Sequence, residues 1–254
     1  MPVLPYPFEY DGETIREFDV KEATTSAIAA SQKNSLPYAA MKSFLTGVLC
    51  SLNGNEEQTF IRNALLSIPF ESAFTALVYG MAKTKEDDSI HGAYACPHCG
   101  EIRRAESDDE TEHVLQFEIT PAPLTFDFNL GGVPIVNKVN GAVIESVGAI
   151  SMTAPTLDAL IRGERRFPDN PILTQSFAYA QSIVSVNNTP VDKSWKDKYG
   201  EVLFNKLSIK KTNELSKELA AYSPFNNIER VCLKCFHRWK TRLDFTNFFD
   251  FGAV

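Results

Sequence analysis

Apolar residues recur at helical spacing in two separate regions of this chain. The first region predicts a helix over residues 70–82, because its apolar positions follow one another at intervals of three and four: Phe70, Phe74, Leu77, Val78 and Met81. The second region predicts a helix over residues 212–222 and carries a comparable apolar stripe: Leu203, Leu207, Leu215, Leu219 and Tyr222.

Other stretches alternate between apolar and polar residues, which is the period of a strand. Residues 113–119 and, more cleanly, residues 124–130 show this alternation. The two glycines at 131–132 predict a turn, and Asn-Gly at 140–141 predicts the tight turn of a hairpin. Residues 10–20 predict a further turn and strand. We therefore expect an α+β protein with β regions at its start and middle and two helical clusters.

Landmarks of the first half recur in the same order in the second half. Segment 18–28 resembles segment 150–160, and each predicts a short strand that leads into a helix, with Thr24 or Thr156 as the candidate N-cap. The later pairs are 51–54 with 185–188, 66–68 with 207–209, and a Cys-x-x-Cys motif at the end of each half. This order predicts an internal duplication. The alternative is two unrelated helical segments around one zinc ribbon.

Four of the five cysteines lie in two Cys-x-x-Cys motifs: Cys96, Cys99, Cys232 and Cys235. Each motif is a knuckle that offers two thiolates to zinc, and two knuckles complete a tetrahedral site. Pro97 and Gly100 favour the turn of the first knuckle, whereas Phe236 stands where the second would have its glycine. We predict that all four cysteines bind one Zn²⁺ with a structural role.

A competing interpretation gives each knuckle its own ion, with a histidine such as His91, His98 or His237 as a partner. His98 is nevertheless expected to point outward into solvent.

Cys50 lies in an apolar run and is expected to be a buried small hydrophobe. Basic residues near the knuckles are expected to compensate the negative charge of the thiolates: Arg103, Arg104, Lys234, Arg238, Lys240 and Arg242.

Composition narrows the function classes. A length of 254 residues with 44% hydrophobic content is enough for a packed core, and the net charge of −7 disfavours a general nucleic-acid binder. We find neither a secretory signal nor an apolar run of about 18 residues that would predict a membrane span. Cysteines in metal-type spacing favour a reducing compartment. No catalytic motif stands out and there are only four histidines, so we expect a non-enzyme.

The chain after the second knuckle is rich in aromatic residues: Trp239, Phe245, Phe248, Phe249 and Phe251. At roughly 25 cal/mol per Å² of apolar area, docking such a tail stabilises a structure by several kcal/mol. One hypothesis is that these rings fold back onto the core of their own chain. The other is that some of them insert into a partner subunit, which makes them candidate partner-binding residues.

The end of the chain resembles a known family. Residues 231–249 read Val-Cys-Leu-Lys-Cys-Phe-His-Arg-Trp-Lys-Thr-Arg-Leu-Asp-Phe-Thr-Asn-Phe-Phe. With segments 150–160 and 184–191, they resemble the baseplate hub assembly proteins of contractile-tailed phages and related tail assembly chaperones. The resemblance covers the second half, and reaches the first only through the predicted duplication. It implies a non-enzymatic structural or assembly component of a tail baseplate, located in the virion or in the host cytoplasm during assembly, with other tail subunits as partners.

The expected organisation has three parts. Residues 1–112 form a repeat with the first knuckle, residues 113–148 a β-rich insert, and residues 149–254 a repeat with the second knuckle and the aromatic tail. Two other function classes stay open. One is a zinc-ribbon nucleic-acid binder that uses the basic residues near the knuckles, and the other is a metalloenzyme with an incomplete knuckle site.

Overall fold

A computed structural model describes residues 1–84, 93–104, 119–136, 143–225 and 228–241. These residues form a mixed α and β protein in which the strands pair antiparallel. No helix within the described ranges has both the length and the apolar character that a membrane span requires.

The first half of the chain, here called the N-terminal unit (residues 3–104), combines a small sheet with four helices and ends in a short hairpin. The sheet has the order β1 (Val3–Tyr10), β2 (Glu13–Val20), β3 (Leu49–Leu52). The helices are α1 (Thr25–Gln32), α2 (Pro37–Val48), α3 (Gln58–Ala64) and α4 (Phe70–Thr84). The hairpin pairs β4 (Ala93–Ala95) with β5 (Ile102–Arg104).

The second half, the C-terminal unit (residues 126–241), presents its elements in nearly the same order. Its sheet has the order β6 (Phe126–Val136), β7 (Val143–Met152), β8 (Ile183–Val186), β9 (Thr189–Pro190). Its helices are α5 (Leu157–Arg166), α6 (Pro171–Ser182), α7 (Lys193–Trp195), α8 (Glu201–Lys206) and α9 (Ile209–Leu219), with a π-helical turn (Lys196–Gly200) between α7 and α8. The final hairpin pairs β10 (Ile228–Val231) with β11 (Arg238–Thr241). Within the described residues, β9, α7 and the π-helical turn are the elements of the C-terminal unit without a counterpart in the N-terminal unit.

Both units start their first two helices in the same way. Thr24 and Thr156 hold the N-caps of α1 and α5, and the hydroxyl of each accepts a hydrogen bond from the N–H three residues later, at 3.3 and 3.2 Å. The predicted N-caps are therefore confirmed. Pro37 and Pro171 are the first residues of α2 and α6, where a missing N–H costs no helical hydrogen bond.

An asparagine fixes the end of the third strand in both units. Asn53 and Asn187 each have φ of +47°, a left-handed conformation that asparagine tolerates better than most residues. The Oδ1 atom of Asn53 accepts two successive N–H groups of β2, at 2.9 and 3.1 Å. That of Asn187 accepts two successive N–H groups of β7, at 2.8 and 3.1 Å. The same residue type thus makes the same contacts in each unit.

The cores of the two units share residues. The core of the N-terminal unit includes three buried side chains from the second half: Leu157, Ile161 and Phe225. Tyr6 of β1 lies in the core of the C-terminal unit. Its hydroxyl donates to the carbonyl of Leu219 and accepts the N–H of Tyr222, so it satisfies backbone groups just after α9. The units are therefore joined by buried apolar and polar contacts.

Glu164 makes a second polar contact between the units. This side chain of α5 is only 6% exposed, and its Oε1 accepts the N–H of Tyr38 in the first turn of α2 at 3.4 Å. Leu36 holds the N-cap position of α2 and has no side-chain oxygen. The carboxyl of Glu164, from the C-terminal unit, therefore accepts the hydrogen bond that an N-cap side chain would otherwise accept. Burial raises the pKa of Glu164, although the N–H groups of Tyr38 and Ala39 and the charge of Arg165 act in the opposite direction.

Some local predictions differ from the structure. The helix predicted over 212–222 begins at Ile209, because the hydroxyl of Ser208 accepts the N–H of Lys211 at 3.2 Å and caps it there. The glycines at 131–132 do not end a strand. They lie inside β6 with φ of +73° and +88°, where the pairing with β7 shifts register and forms a bulge.

One boundary of the expected three-part organisation falls within described residues. The predicted boundary between residues 148 and 149 falls inside β7, and β6 and β7 share a sheet with β8. The described part of the predicted insert therefore supplies strands to the C-terminal unit. The strand predicted over 113–119 falls outside the described residues except for its last position, and the turn predicted at 140–141 lies outside them.

We expect the substitution Glu164→Gln to stabilise the protein more at pH 7 than at pH 4. Because the folded-state pKa is raised, the protonated carboxyl stabilises the fold fully below the unfolded pKa of about 4.5, and this contribution is lost as pH rises through the folded pKa. Urea unfolding at pH 4, 5.5 and 7 measures the difference between variant and wild type. Glu22→Gln, at an exposed glutamate, is the control. Both variants keep the four cysteines, so a loss of metal in acid affects the wild type and both variants equally and drops out of the comparison. A difference that does not change with pH would contradict the expectation.

Candidate metal centre

The two Cys-x-x-Cys motifs lie in the two short hairpins that end the units. Cys96 and Cys99 are in the turn between β4 and β5, and Cys232 and Cys235 are in the turn between β10 and β11. In each turn the N–H of the first cysteine donates to a carbonyl five residues later, at 2.9 Å in both hairpins. The hairpin closes around the motif, so both sulfurs of a motif are presented by one rigid turn.

The residue after each motif has a left-handed backbone. Gly100 has φ of +71° and its N–H donates to the carbonyl of Cys96 at 2.9 Å. Phe236 has φ of +56° and its N–H donates to the carbonyl of Cys232 at 2.7 Å. The missing glycine of the second motif therefore does not change its conformation. The phenylalanine does impose a backbone strain, since a residue with a Cβ atom in the left-handed conformation costs about 1–2 kcal/mol.

The four sulfurs of the two hairpins converge. All four lie within 4.8 Å of one another, with 3.7 Å between the Sγ atoms of Cys96 and Cys235 and 3.6 Å between those of Cys99 and Cys232. Zn–S bonds of about 2.3 Å in a tetrahedron place neighbouring sulfurs about 3.8 Å apart. The donor set and its dimensions therefore fit one tetrahedral metal ion. Cys96 and Cys232 are buried, whereas Cys99 is exposed and Cys235 is partly exposed.

The protonation of the sulfurs depends on nearby N–H groups. The N–H groups of Cys235 and Lys234 outweigh partial desolvation and lower the pKa of Cys232 to about 6. For Cys235, the N–H of His237 lowers the pKa, but desolvation and the hydrogen bonds among the sulfurs outweigh it and raise the value to about 12. A cation among the sulfurs would favour the thiolate form of all four, since the thiolate is the metal ligand.

One of the predicted compensating cations bridges the two hairpins. Lys234 of the second hairpin lies 2.7 Å from the carboxylate of Glu101 of the first. Lys240 lies 3.9 Å from Glu229 on the neighbouring strand. Arg242 lies outside the described residues, and the side chains of Arg103 and Arg104 do as well. Of the predicted compensating cations, Lys234 thus has the clearest role, because its ion pair joins the two hairpins.

The histidines of the knuckles lie beside the sulfur cluster in a row of rings. His98 is exposed and stacks on His237 with 5.3 Å between ring centroids, and His237 stacks on Trp239 at 6.1 Å. His91 lies outside the described residues. This row of stacked rings was not predicted from the sequence. The spacing of two between His237 and Trp239, which places both on one side of an extended chain, was the available signal.

The other predicted site residues divide into described and undescribed ones. Trp239 is half-buried on β11. Its role in partner binding stays a prediction. Four phenylalanines of the predicted partner-binding set lie outside the described residues: Phe245, Phe248, Phe249 and Phe251. Cys50 is partly exposed on β3 and lies outside the sulfur cluster, and burial raises its pKa.

Comparison of the chain with protein-family models, curated proteins and solved structures found no significant match.

We expect one metal ion per chain, bound jointly by both hairpins. Cys96→Ser and Cys232→Ser should each lower the metal content from one ion per chain to nearly none, because each removes one ligand of a shared site. Cys50→Ser should leave the metal content unchanged, since Cys50 is outside the cluster. Elemental analysis after gel filtration measures this content. Two ions per wild-type chain, with one retained in each knuckle variant, would instead show separate sites.

We expect Phe236→Gly to raise the free energy of unfolding of the metal-loaded protein by about 1 kcal/mol, because it removes the left-handed strain. Phe236→Ala removes the ring and keeps the strain, so it serves as the control. Gly100→Ala should lower the free energy of unfolding by a similar amount, since a Cβ there meets no atom within 4 Å and only the backbone cost remains. Urea denaturation measures all three. Equal destabilisation by Phe236→Gly and Phe236→Ala would show that the ring itself contributes stability.

Proposed function

We propose that the four cysteines bind one Zn²⁺ that clamps the ends of the two units together. The observation that carries this proposal is the convergence of sulfurs that are 133 and 139 residues apart in sequence. Zinc is the metal that a tetrahedral set of four thiolates suits best among the common protein metals. Four protein ligands leave no coordination position for water or substrate, so the ion has a structural role.

The energy of such a site is large on the scale of this fold. Structural zinc contributes on the order of 10–16 kcal/mol of apparent binding free energy in small peptides. A whole domain has a net stability of roughly 5–15 kcal/mol. Among the hairpin side chains whose burial the structure describes, the buried ones are Cys96 and Cys232. The zinc therefore supplies most of the free energy that holds the two hairpins together.

The two units are, in this proposal, copies of one ancestral unit. Support comes from the shared order of elements, from Thr24 and Thr156 as N-caps, and from Asn53 and Asn187 at the end of the third strands. The paired knuckles add a further shared feature. A chain of two similar units offers two similar surfaces to its surroundings, which suits a protein that acts through protein–protein contacts.

The function that agrees best with these features is that of a non-enzymatic structural or assembly component of a phage tail baseplate. The resemblance of residues 231–249 to baseplate hub assembly proteins supports this assignment. Other tail or baseplate subunits are the proposed partners, and the aromatic residues from Trp239 to Phe251 are the proposed contacts. The protein would act in the virion or in the host cytoplasm during assembly.

The test is co-purification from cells that produce the remaining tail proteins. Tagged wild-type chain should recover other tail subunits in a stable complex, and replacing Phe248 and Phe249 by alanine should reduce the yield of that complex several-fold. Leu233→Ala, at an exposed position in the turn between β10 and β11, is the control. A chain that never associates with tail subunits would refute the baseplate role. Recovery of nucleic acid with steep salt dependence would favour the nucleic-acid alternative.

A further inference from the structure

The contact between the two units is head-to-tail, because they use different surfaces. The C-terminal unit contributes the start of α5, where Leu157 and Ile161 are 0% and 3% exposed in the core of the N-terminal unit. The N-terminal unit contributes the starts of α2 and α4. Tyr38 lies in the first turn of α2 and packs against this core, and Ile68 lies just before α4 and is 0% exposed in the same core. We call this pair the filled face. The N–H of Phe70 donates to the carbonyl of Pro155, just before α5, at 2.8 Å.

The C-terminal unit has a counterpart of the filled face, and the described part of the chain leaves it exposed. Pro37 and Pro171 both begin their helices, so Ile172 of α6 corresponds to Tyr38 of α2. Ile209 corresponds to Ile68, because the Leu-Ser-Ile of residues 207–209 matches that of residues 66–68. Ile172 and Ile209 are 72% and 80% exposed, which is far more than a large aliphatic side chain usually retains. We call these two residues the open face.

The N-terminal unit likewise has a counterpart of α5, which is α1. Both helices have a threonine N-cap and begin just after the second strand of their unit. The side chains of α1 that correspond to those buried from α5 are exposed, Thr25 in place of Leu157 and Ala29 in place of Ile161. The sequence of α1 is Thr-Ser-Ala-Ile-Ala-Ala-Ser-Gln, without a charged residue. An exposed helix face normally carries charges, so this one is suited to close contact with an uncharged surface.

We propose that the open face of one chain receives α1 of a second copy of this chain, in a head-to-tail contact. The contact between the units within the chain is the template, and its two unfilled counterparts belong to different units. A head-to-tail contact of this kind produces a ring if its rotation closes and an open series if it does not. Because Thr25 and Ala29 are smaller than Leu157 and Ile161, the contact buries less apolar surface and should be reversible and dependent on concentration. The proposal depends on the proposed relation between the units and not on the baseplate role.

The test is the mass of the purified, metal-loaded full-length chain over a wide range of concentrations, by sedimentation equilibrium. The wild type should pass from monomer to larger species as concentration rises. Ile172→Asp should remain monomeric, because it places a charge on the open face, and Ala29→Arg should remain monomeric because it blocks α1. Val184→Asp, at a 41% exposed position on β8, should behave as the wild type. All three substituted positions are exposed to solvent, and metal content checks that the variants fold.

Mixing the two monomeric variants is the sharpest measurement. The Ala29→Arg chain keeps an intact open face, and the Ile172→Asp chain keeps an intact α1, so one contact of the proposed kind can form between them. An equimolar mixture should therefore give a dimer and nothing larger. A wild type that is monomeric at every concentration would overturn the proposal. So would association that persists in both single variants, because that would place the contact elsewhere. Neither result depends on whether tail subunits co-purify.

Discussion

The convergence of four sulfurs is the constraint on which the architecture depends. Each sulfur pair is presented by a hairpin with only three or four residues per strand, and such hairpins are marginally stable by themselves. They follow α4 in one unit and α9 in the other, so bringing them together fixes where these helices end relative to each other. The ion pair of Lys234 with Glu101 joins the same two hairpins, but it is exposed to solvent and contributes little in comparison. A metal ion held by the four sulfurs would therefore account for the position of the hairpins better than their own packing does.

The units also hold each other through buried contacts far from the cysteines. Tyr6 is 1% exposed, and besides the contacts of its hydroxyl near α9, its backbone N–H and carbonyl both bond to the hydroxyl of Ser72 on α4. One residue of β1 thus links a helix of each unit. Leaving such buried polar groups without a partner costs about 1–3 kcal/mol each, so this contact disfavours other relative positions of the units. The sulfur cluster and these polar contacts thus join the two units at different places.

Local patterns predicted much of this chain, and the failures have physical causes. The spacing of the cysteines predicted the members of the cluster, because a Cys-x-x-Cys turn has one common geometry. The N-caps at Thr24 and Thr156 also followed from residue type. Strand β1 was not recognised as a separate element, because its residues 4–8 are buried without alternation and include two prolines. The contact of Glu164 with α2 could not be inferred either, since it depends on how two distant helices pack. The left-handed backbone of Phe236 is imposed by the hairpin and not by the residue.

The N-termini of α2 and α6 show how the two units differ. In α6, Asn170 caps its own helix by accepting the N–H of Leu173 at 3.0 Å. In α2, Leu36 holds the same position and the acceptor comes from Glu164 of the other unit. The helix whose start is covered therefore depends on its neighbour for the cap, whereas the helix whose start is exposed is capped by its own residue. This difference follows from packing, because a covered helix start is shielded from water and needs a protein acceptor, which the covering helix can provide. The asymmetry between the units is thus part of the contact between them.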